Sequence, residues 1–333
     1  MSPRLVLVTG GAGFIGSNIV AALAESGEWD VAVCDRLRAA DSGKWRNLAK
    51  HPIADFVAPE ALADWLAWHE DELEAIIHMG AVSSTTEPDA DRIVHANFTL
   101  SRDLWDWAAE HGKRLIYASS AATYGDGAQG FGDADDLASL SALRPLNAYG
   151  WSKALFDLYA RRNADRGRAP AQWAGLKFFN VYGPNEHHKG AMRSVVCQKW
   201  PEAARGETVK LFKSHRDGVE NGGQTRDFVY VRDAVEVVLW LLARPDVNGI
   251  YNLGSGRARS FRDLAEALFH ALGQETRIDY VDMPAGIRDR YQYFTQADMT
   301  RLISMGYKRA FTSLEEGVAD YVHMYLSQSD PYR

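Results

Sequence analysis

Apolar and polar positions alternate along this chain between two periods, and the switch between them divides it into elements. Arg4-Leu-Val-Leu-Val-Thr9 is a short unbroken apolar run, the pattern of a strand buried on both faces. A helical pattern follows to about Ser26, and Asp30-Val-Ala-Val-Cys-Asp35 then reads as a second strand. Further strands are expected over 53–57, 74–79, 113–120 and 175–184, with a long helical stretch from about Asp89 to His111 and another beginning near Asn147, a plausible N-cap. Strands alternating with helices predict an α/β, Rossmann-type doubly wound parallel sheet. After Pro184 the alternation becomes irregular, as expected of a smaller C-terminal α/β lobe. The predicted division is a dinucleotide-binding domain over 1–182, with later segments returning at about 226–256, and a mainly substrate-binding lobe over 183–333. Residues 126–144 read as an acidic, turn-rich loop over the site. Residues 210–227 read as a loop rich in glycine and charge. Strands are expected over 228–231 and 250–254, and helices from Asp233 to about Ala243 and from Arg259 to Leu272, with two more at the end.

With 46% hydrophobic and 24% charged residues over 333 positions, the chain has enough apolar material for a large core, which argues against wholesale disorder. A net charge of -7 gives no reason to expect nucleic acid or an anionic membrane as partner. No apolar run approaches the ~20 residues that span a bilayer, and the N-terminus enters a strand without the pattern of a signal peptide. Two cysteines, Cys34 and Cys197, are too few for a disulfide framework and read as reduced thiols, so a soluble cytoplasmic protein is expected.

Candidate chemistry begins at Gly10-Gly-Ala-Gly13-Phe14-Ile15-Gly16, between the first strand and its helix. There the first glycine permits a tight turn, the second lets backbone approach a pyrophosphate, and the third lets helix and strand pack closely. The helix N-terminus offers free N–H groups to the phosphates. Asp35, at the end of the second strand, stands where a ribose-binding acid falls. Arg36, Arg38, Lys44 and Arg46 close by suit an extra phosphate instead, so NAD and NADP both remain open on these residues. Gly80-Ala81-Val82-Ser83 is a small-residue loop at a strand end where a cofactor can lie, and Asn97, in the helical stretch that follows, is placed to brace a neighbouring loop. His78 reads as packed in its strand. Tyr149 and Lys153, four apart, share a helix face, and a neighbouring ammonium would lower the phenol's pKa enough for proton transfer at a substrate hydroxyl. Ser120 ends a buried strand where it could hydrogen-bond that hydroxyl. Lys189 is a single ammonium at a loop-to-helix junction. The adjacent His187 and His188 lack further ligands at zinc spacing, and no metal is expected. Lys213, His215, Arg216 and Arg226 could grip a second phosphate group, and Arg290 and Tyr291 are candidates for substrate contact.

Taken in order, TGGAGFIG at 9–16, ASSAATYG at 118–125, YGWSK at 149–153, FNVYGP at 179–184 and RDFVYVRD at 226–233 resemble the nucleotide-sugar epimerase branch of the extended short-chain dehydrogenase/reductase superfamily. Within it the chain looks like the family of ADP-L-glycero-D-manno-heptose 6-epimerases, on HMGAVSSTTE at 78–87, NEHHKGAM at 185–192, NLGSGRARSF at 252–261 and RYQYFTQADMTRL at 290–302. The resemblance implies Ser120, Tyr149 and Lys153 as the catalytic set and Lys189 as a second acid/base. It implies cofactor contacts at Gly10, Gly13, Phe14, Ile15, Gly16, Asp35, Arg36, Lys44, Gly80, Ala81, Val82, Ser83, Asn97, Tyr149, Lys153, Val181 and Lys189. Substrate contacts are implied at Ser83, Ser120, Asn180, Ala191, Gln198, Lys213, Arg226 and Tyr291. It turns the cofactor towards NADP, with NAD the alternative, and implies an ADP-sugar substrate and a homo-oligomer, a pentamer. The family often has Ser and His where this chain has Ala191 and Gln198, and its 213–225 loop is shorter in some relatives, which bears on substrate recognition. The implied reaction is transient oxidation at C6 of the heptose and reduction on the other face, serving lipopolysaccharide core precursors. A sugar-nucleotide 4,6-dehydratase would need an acid pair where Ala121 and Ala122 follow Ser120. A UDP-hexose 4-epimerase shares the catalytic set and differs in the substrate loops. A non-catalytic NADP-binding sensor would have no need of Ser120, Tyr149 and Lys153 together.

Overall fold

The buried run Arg4–Thr9 forms strand β1, and the chain is built outwards from it. The computed structural model describes residues 4–37, 42–288 and 291–333, so Arg38 and Arg290 lie outside the described residues. Among the described residues, β1 joins β2 (Trp29–Cys34), β3 (Asp55–Val57), β4 (Leu73–His78), β5 (Arg114–Ser120), β6 (Gln172–Phe178) and β10 (Gly249–Leu253) in one sheet of order β10-β6-β5-β4-β1-β2-β3. Every pairing in it is parallel. Side chains alternate across it: Val6 and Val8 enter one apolar cluster with Ile19 and Val235, while Leu7 enters another with Trp105 and Phe156. Both faces are covered, which is why the inner strands read as unbroken apolar runs. The strand order reverses between β1 and β4, and the crevice beyond their carboxyl ends is where such sheets bind ligands.

Two expected elements differ. The run 175–184 is not one strand: it breaks at Phe179, and Asn180–Tyr182 (β7) leaves the central sheet to pair with β9 (Thr225–Tyr230), which also pairs with β11 (Ala258–Ser260). The 210–227 loop is bounded by two strands, β8 (Val209–Phe212), paired with β12 (Ile278–Val281), and β9. These short strands alternate too briefly to register against the surrounding glycines and charges. A separate apolar cluster, including Leu211, Tyr230, Leu268 and Val318, holds this lobe together.

The 126–144 segment also packs against the central sheet. Its Asp133 and Asp135 carboxylates accept the backbone N–H groups of Asn252 and Ile250 at 2.8 and 3.1 Å. The segment thus closes the free edge of β10, where unpaired donors would otherwise face solvent. It also carries a short helix, Leu137–Ala142.

Candidate active site

The glycine loop is shaped by contacts that leave no room for a side chain. Gly10 has a φ of +67°, and a Cβ there would stand 2.6 Å from the backbone nitrogen of Gly80. One on Gly16 would stand 2.2 Å from the Gly10 carbonyl oxygen. The loops after β1 and β4 therefore touch at the reversal point. Gly13 is the N-cap of the helix Phe14–Ser26 without a side-chain cap, and the first turn carries no acid. Its N–H groups and positive dipole end are left for an anion. Asp35, the residue just past β2, accepts the Ala12 N–H at 2.9 Å and the Lys44 ammonium at 2.5 Å. Arg36 points away into an ion pair with Glu60. A glycine cradle, an uncapped helix start and a carboxylate beside them fit a dinucleotide.

Asn97 lies fully buried in a π-helical turn, Val94–Thr99. Its amide accepts the Val82 N–H at 2.7 Å and donates to the Val82 carbonyl and the Ser152 hydroxyl, both at 3.0 Å. Ser152 in turn donates to the Tyr149 carbonyl at 2.7 Å. One side chain thus ties the Gly80–Ser83 loop to the Tyr149 helix. Within that loop Ala81 and Ser83 are exposed and Val82 is half-buried. His78 is buried between the Thr9 hydroxyl (2.6 Å) and the Ser101 hydroxyl (2.8 Å), and burial pulls it down to about 3, so it stays neutral.

The helix Ala148–Asp165 starts where Asn147 accepts the Gly150 N–H at 2.8 Å. Tyr149 and Lys153 share its inner face. Ser120, the last residue of β5, accepts the Ala122 N–H at 3.1 Å and hydrogen-bonds Tyr149. Burial pushes the Tyr149 phenol up, with the Ser120 hydrogen bond pulling the other way. This reverses the expectation that Lys153 would draw the phenol down. The Lys153 ammonium, 3% exposed, donates instead to the Ala118 carbonyl at 2.7 Å. Burial lowers it to about 8 against the opposing charge of Asp157.

Lys189 lies in the 3-10 turn His187–Met192, its ammonium 4.9 Å from the ring centroid of Phe14, the first residue of the glycine-loop helix. Burial lowers it, against the charge of Glu186. Glu186 is itself fully buried and accepts from the Ser194 N–H and hydroxyl and from the Tyr321 hydroxyl. Gln198 donates to the carbonyls of Ala191 (3.1 Å) and Arg193 (2.7 Å), so those two substrate candidates lie together. In the smaller lobe Arg226, 7% exposed, lies 5.1 Å from the Tyr291 ring and 5.6 Å from the Phe261 ring. Among the described residues no carboxylate reaches it, and a buried guanidinium so placed invites an anion. Lys213 instead faces Asp282 at 3.3 Å on the surface. Asn180 is exposed at the start of β7, and Val181 beside it is half-buried between the two lobes' cores. Among the described residues no group of three or more His, Cys, Asp or Glu could hold a metal, and no helix is long and apolar enough to cross a membrane.

Several supporting residues carried no signal of their own. Asn47 donates to the Ala12 carbonyl (2.9 Å) and the Asn185 carbonyl (3.1 Å), joining the glycine loop to the turn before Lys189. Glu186 was visible only as a neighbour of Lys189. Asp157, four residues beyond Lys153, could have been found by extending the Tyr149–Lys153 face one more turn.

The comparisons with known proteins agree with this geometry. Residues 6–254 match the model of the NAD dependent epimerase/dehydratase family. The chain is 48% identical over 331 residues, 98% of its length and 100% of the relative's, to the ADP-L-glycero-D-manno-heptose-6-epimerase of Nitratidesulfovibrio vulgaris strain DP4. Among solved structures it is similar to the enzyme of that name from Helicobacter pylori (TM-score 0.78, 28% identity, 96% of this chain and 95% of that one). It is also similar to the UDP-glucose 4-epimerase of Thermus thermophilus in complex with NAD (TM-score 0.75, 26% identity, 95% and 97%). By the family match over most of its length and by that end-to-end identity, this chain, with its doubly wound sheet and its glycine loop at the reversal point, belongs to the NAD dependent epimerase/dehydratase family.

Proposed function

We propose that this epimerase inverts C6 of ADP-D-glycero-β-D-manno-heptose to give the L-glycero epimer, supplying lipopolysaccharide core precursors in the cytoplasm. The observation that carries the reading is the 48% identity, end to end, with a relative of that name. The glycine loop, Asp35, the Gly80–Ser83 loop, Asn97 and Val181 would hold the dinucleotide. When bound, its nicotinamide supplies reversible acceptance of hydride from the substrate carbon. Tyr149 moves the proton at the C6 oxygen, and the Ser120 hydroxyl orients that oxygen. Lys153 would donate to the nicotinamide ribose from the helix face it shares with Tyr149. Inversion needs an acid/base on each face, and Lys189 serves the second. Arg226 and Tyr291 grip the ADP moiety, with Lys213, Asn180, Ala191, Gln198 and Ser83 contributing around the sugar. Residues 183–333 form mainly the sugar-nucleotide lobe, with segments at about 226–256 returning to the dinucleotide-binding domain over 1–182.

NADP is the proposed cofactor, with NAD the alternative. Lys44, 2.5 Å from Asp35, offsets the carboxylate that would otherwise repel a 2′-phosphate. Nucleotide released from the purified protein on denaturation, separated by ion exchange, distinguishes the two. The homo-oligomeric, pentameric state implied by the resemblance belongs to the same reading and is tested by sedimentation equilibrium.

The deciding experiment incubates the purified protein with ADP-D-glycero-β-D-manno-heptose and no added cofactor, following C6 by NMR. Conversion supports both the substrate and a retained cofactor. No conversion even with NADP supplied overturns the heptose reading. Turnover of UDP-glucose under those conditions would then favour a UDP-hexose 4-epimerase.

A further inference from the structure

The inner face of the Tyr149 helix does not end at Lys153. One turn on stands Asp157, so the three side chains fall at i, i+4 and i+8. Asp157 meets Lys177 of β6 at 2.6 Å, with side-chain exposures of 0% and 1%. The Ser119 and Tyr117 hydroxyls of β5 donate to the same carboxylate at 2.7 and 3.1 Å. Lys177 also donates to the Thr123 hydroxyl at 2.9 Å and stands 5.2 Å from the centroid of the Tyr124 ring. Apart from the ion pair itself, these contacts end on β5 or on the turn that follows it, the segment that presents Ser120.

A buried ion pair is poor evidence for stability, because apolar residues of similar shape often serve as well or better. Its place is better explained by its neighbours. The groups that interact with Lys153 are Asp157 on its own helix and His78 on β4, with Tyr149 on the same helix face, and Asp157 in turn meets Tyr117 on β5 and Lys177 on β6. Tyr124, in the turn after β5, also faces Asp157. His78 is neutral, and burial holds the Tyr117 and Tyr124 phenols well above their ordinary values. Asp157 is therefore the one anion facing Lys153 in this set, and Lys177 the one further cation.

Resting on the reading that gives Lys153 a place at the catalytic centre, we propose that Asp157 and Lys177 are positioning residues of the reaction. They fix the Tyr149 helix against the Ser120 strand, and Asp157 supplies the negative charge that keeps the Lys153 ammonium in its working form.

The test compares kcat against pH for the wild type, Asp157→Asn, Lys177→Met and the double variant, with Tm measured on each. Asp157→Asn is expected to move the alkaline limb down by about one pH unit, so that kcat above that limb falls about tenfold. Lys177→Met, which removes a cation and leaves the carboxylate, is expected not to move the limb down. The double variant removes both members of the ion pair, so it is expected to keep a Tm nearer wild type than Asp157→Asn does and still show the lowered limb. Asp157→Glu is expected to restore part of the wild-type limb. An unmoved limb in both Asp157→Asn and the double variant, or the same downward shift in Lys177→Met, overturns the proposal. Lys153→Met separates the two levels. If it loses turnover while the limb of Asp157→Asn stays fixed, only the positioning role fails; if it keeps full turnover, the underlying reading of Lys153 fails as well.

Discussion

Tyr149 is a half-buried tyrosine on the first turn of its helix, its phenol hydrogen-bonded to Ser120 and held above its ordinary pKa by desolvation. In the proposed reaction it starts as a neutral phenol, able to donate its proton. Replacing it by Phe leaves the ring's packing and removes the proton. Turnover is expected to fall about 10²–10⁴-fold, the usual worth of a general acid/base, with the dinucleotide still co-purifying. A binding sensor would show no such split, so single-turnover rates and bound-nucleotide content measured on the same sample decide between them. Lys153, pulled down to about 8, loses its ammonium as pH rises past that value. Activity that depends on the charged form is accordingly present below about 8 and falls above it, which a kcat–pH profile reads directly. Arg226 presents a different case. Its guanidinium is buried between aromatic rings with no carboxylate reaching it among the described residues, so an anionic ligand is its natural partner. Arg226→Ala is expected to raise KM for the ADP-sugar about 10- to 100-fold, the worth of a charge-assisted hydrogen bond, with a smaller change in kcat.

At the scale of elements, function depends on loops held at close range by backbone and by one amide. Gly16→Ala would set a Cβ 2.2 Å from the Gly10 carbonyl oxygen, so the turn must open. The expected result is a folded protein with native far-UV circular dichroism that no longer retains its dinucleotide. Asn97→Ala removes three hydrogen bonds between the Gly80–Ser83 loop and the catalytic helix. It strands the buried Val82 backbone groups at a cost of about 1–3 kcal/mol. Urea unfolding measures that loss, and a faster release of dinucleotide would show that the loop, not only the core, depends on it. Much at this scale was legible beforehand. The apolar run of β1, the glycine spacing and the Asn147 cap each reflect interactions among residues close in sequence, so local pattern finds them. The break at Phe179 was not legible, because nothing local distinguishes a strand that continues from one that changes sheets. The residues of β7 have their partner in β9, nearly fifty positions later.

For the whole molecule, the central sheet and the smaller lobe meet around Val181, Phe14 and the Lys189 turn. Ligands of the two parts should therefore stabilise the protein separately. Dinucleotide at about a hundred times its Kd is expected to add about 2.7 kcal/mol, and ADP at a similar excess a comparable increment. Arg226→Ala should abolish the ADP increment in Tm and leave that of the dinucleotide. If ADP still stabilised the variant fully, the placement of the nucleotide on Arg226 and Tyr291 would be wrong.

The sequence by itself determined the sheet class, the position of the glycine loop and the shared helix face of Tyr149 and Lys153. Each of these is written in periodicity or in spacing within a few residues, where side chains three, four or two apart must share a face. The tertiary structure decided what no local pattern contains. It set Asp133 and Asp135 of the acidic 126–144 segment against the edge of β10, where they accept the free N–H groups of Asn252 and Ile250. It raised the Tyr149 phenol where a neighbouring ammonium had promised to lower it, because desolvation acts through everything packed around a group. It also brought Lys177 from β6 against Asp157, since a buried charge requires a partner and only the fold chooses which one arrives.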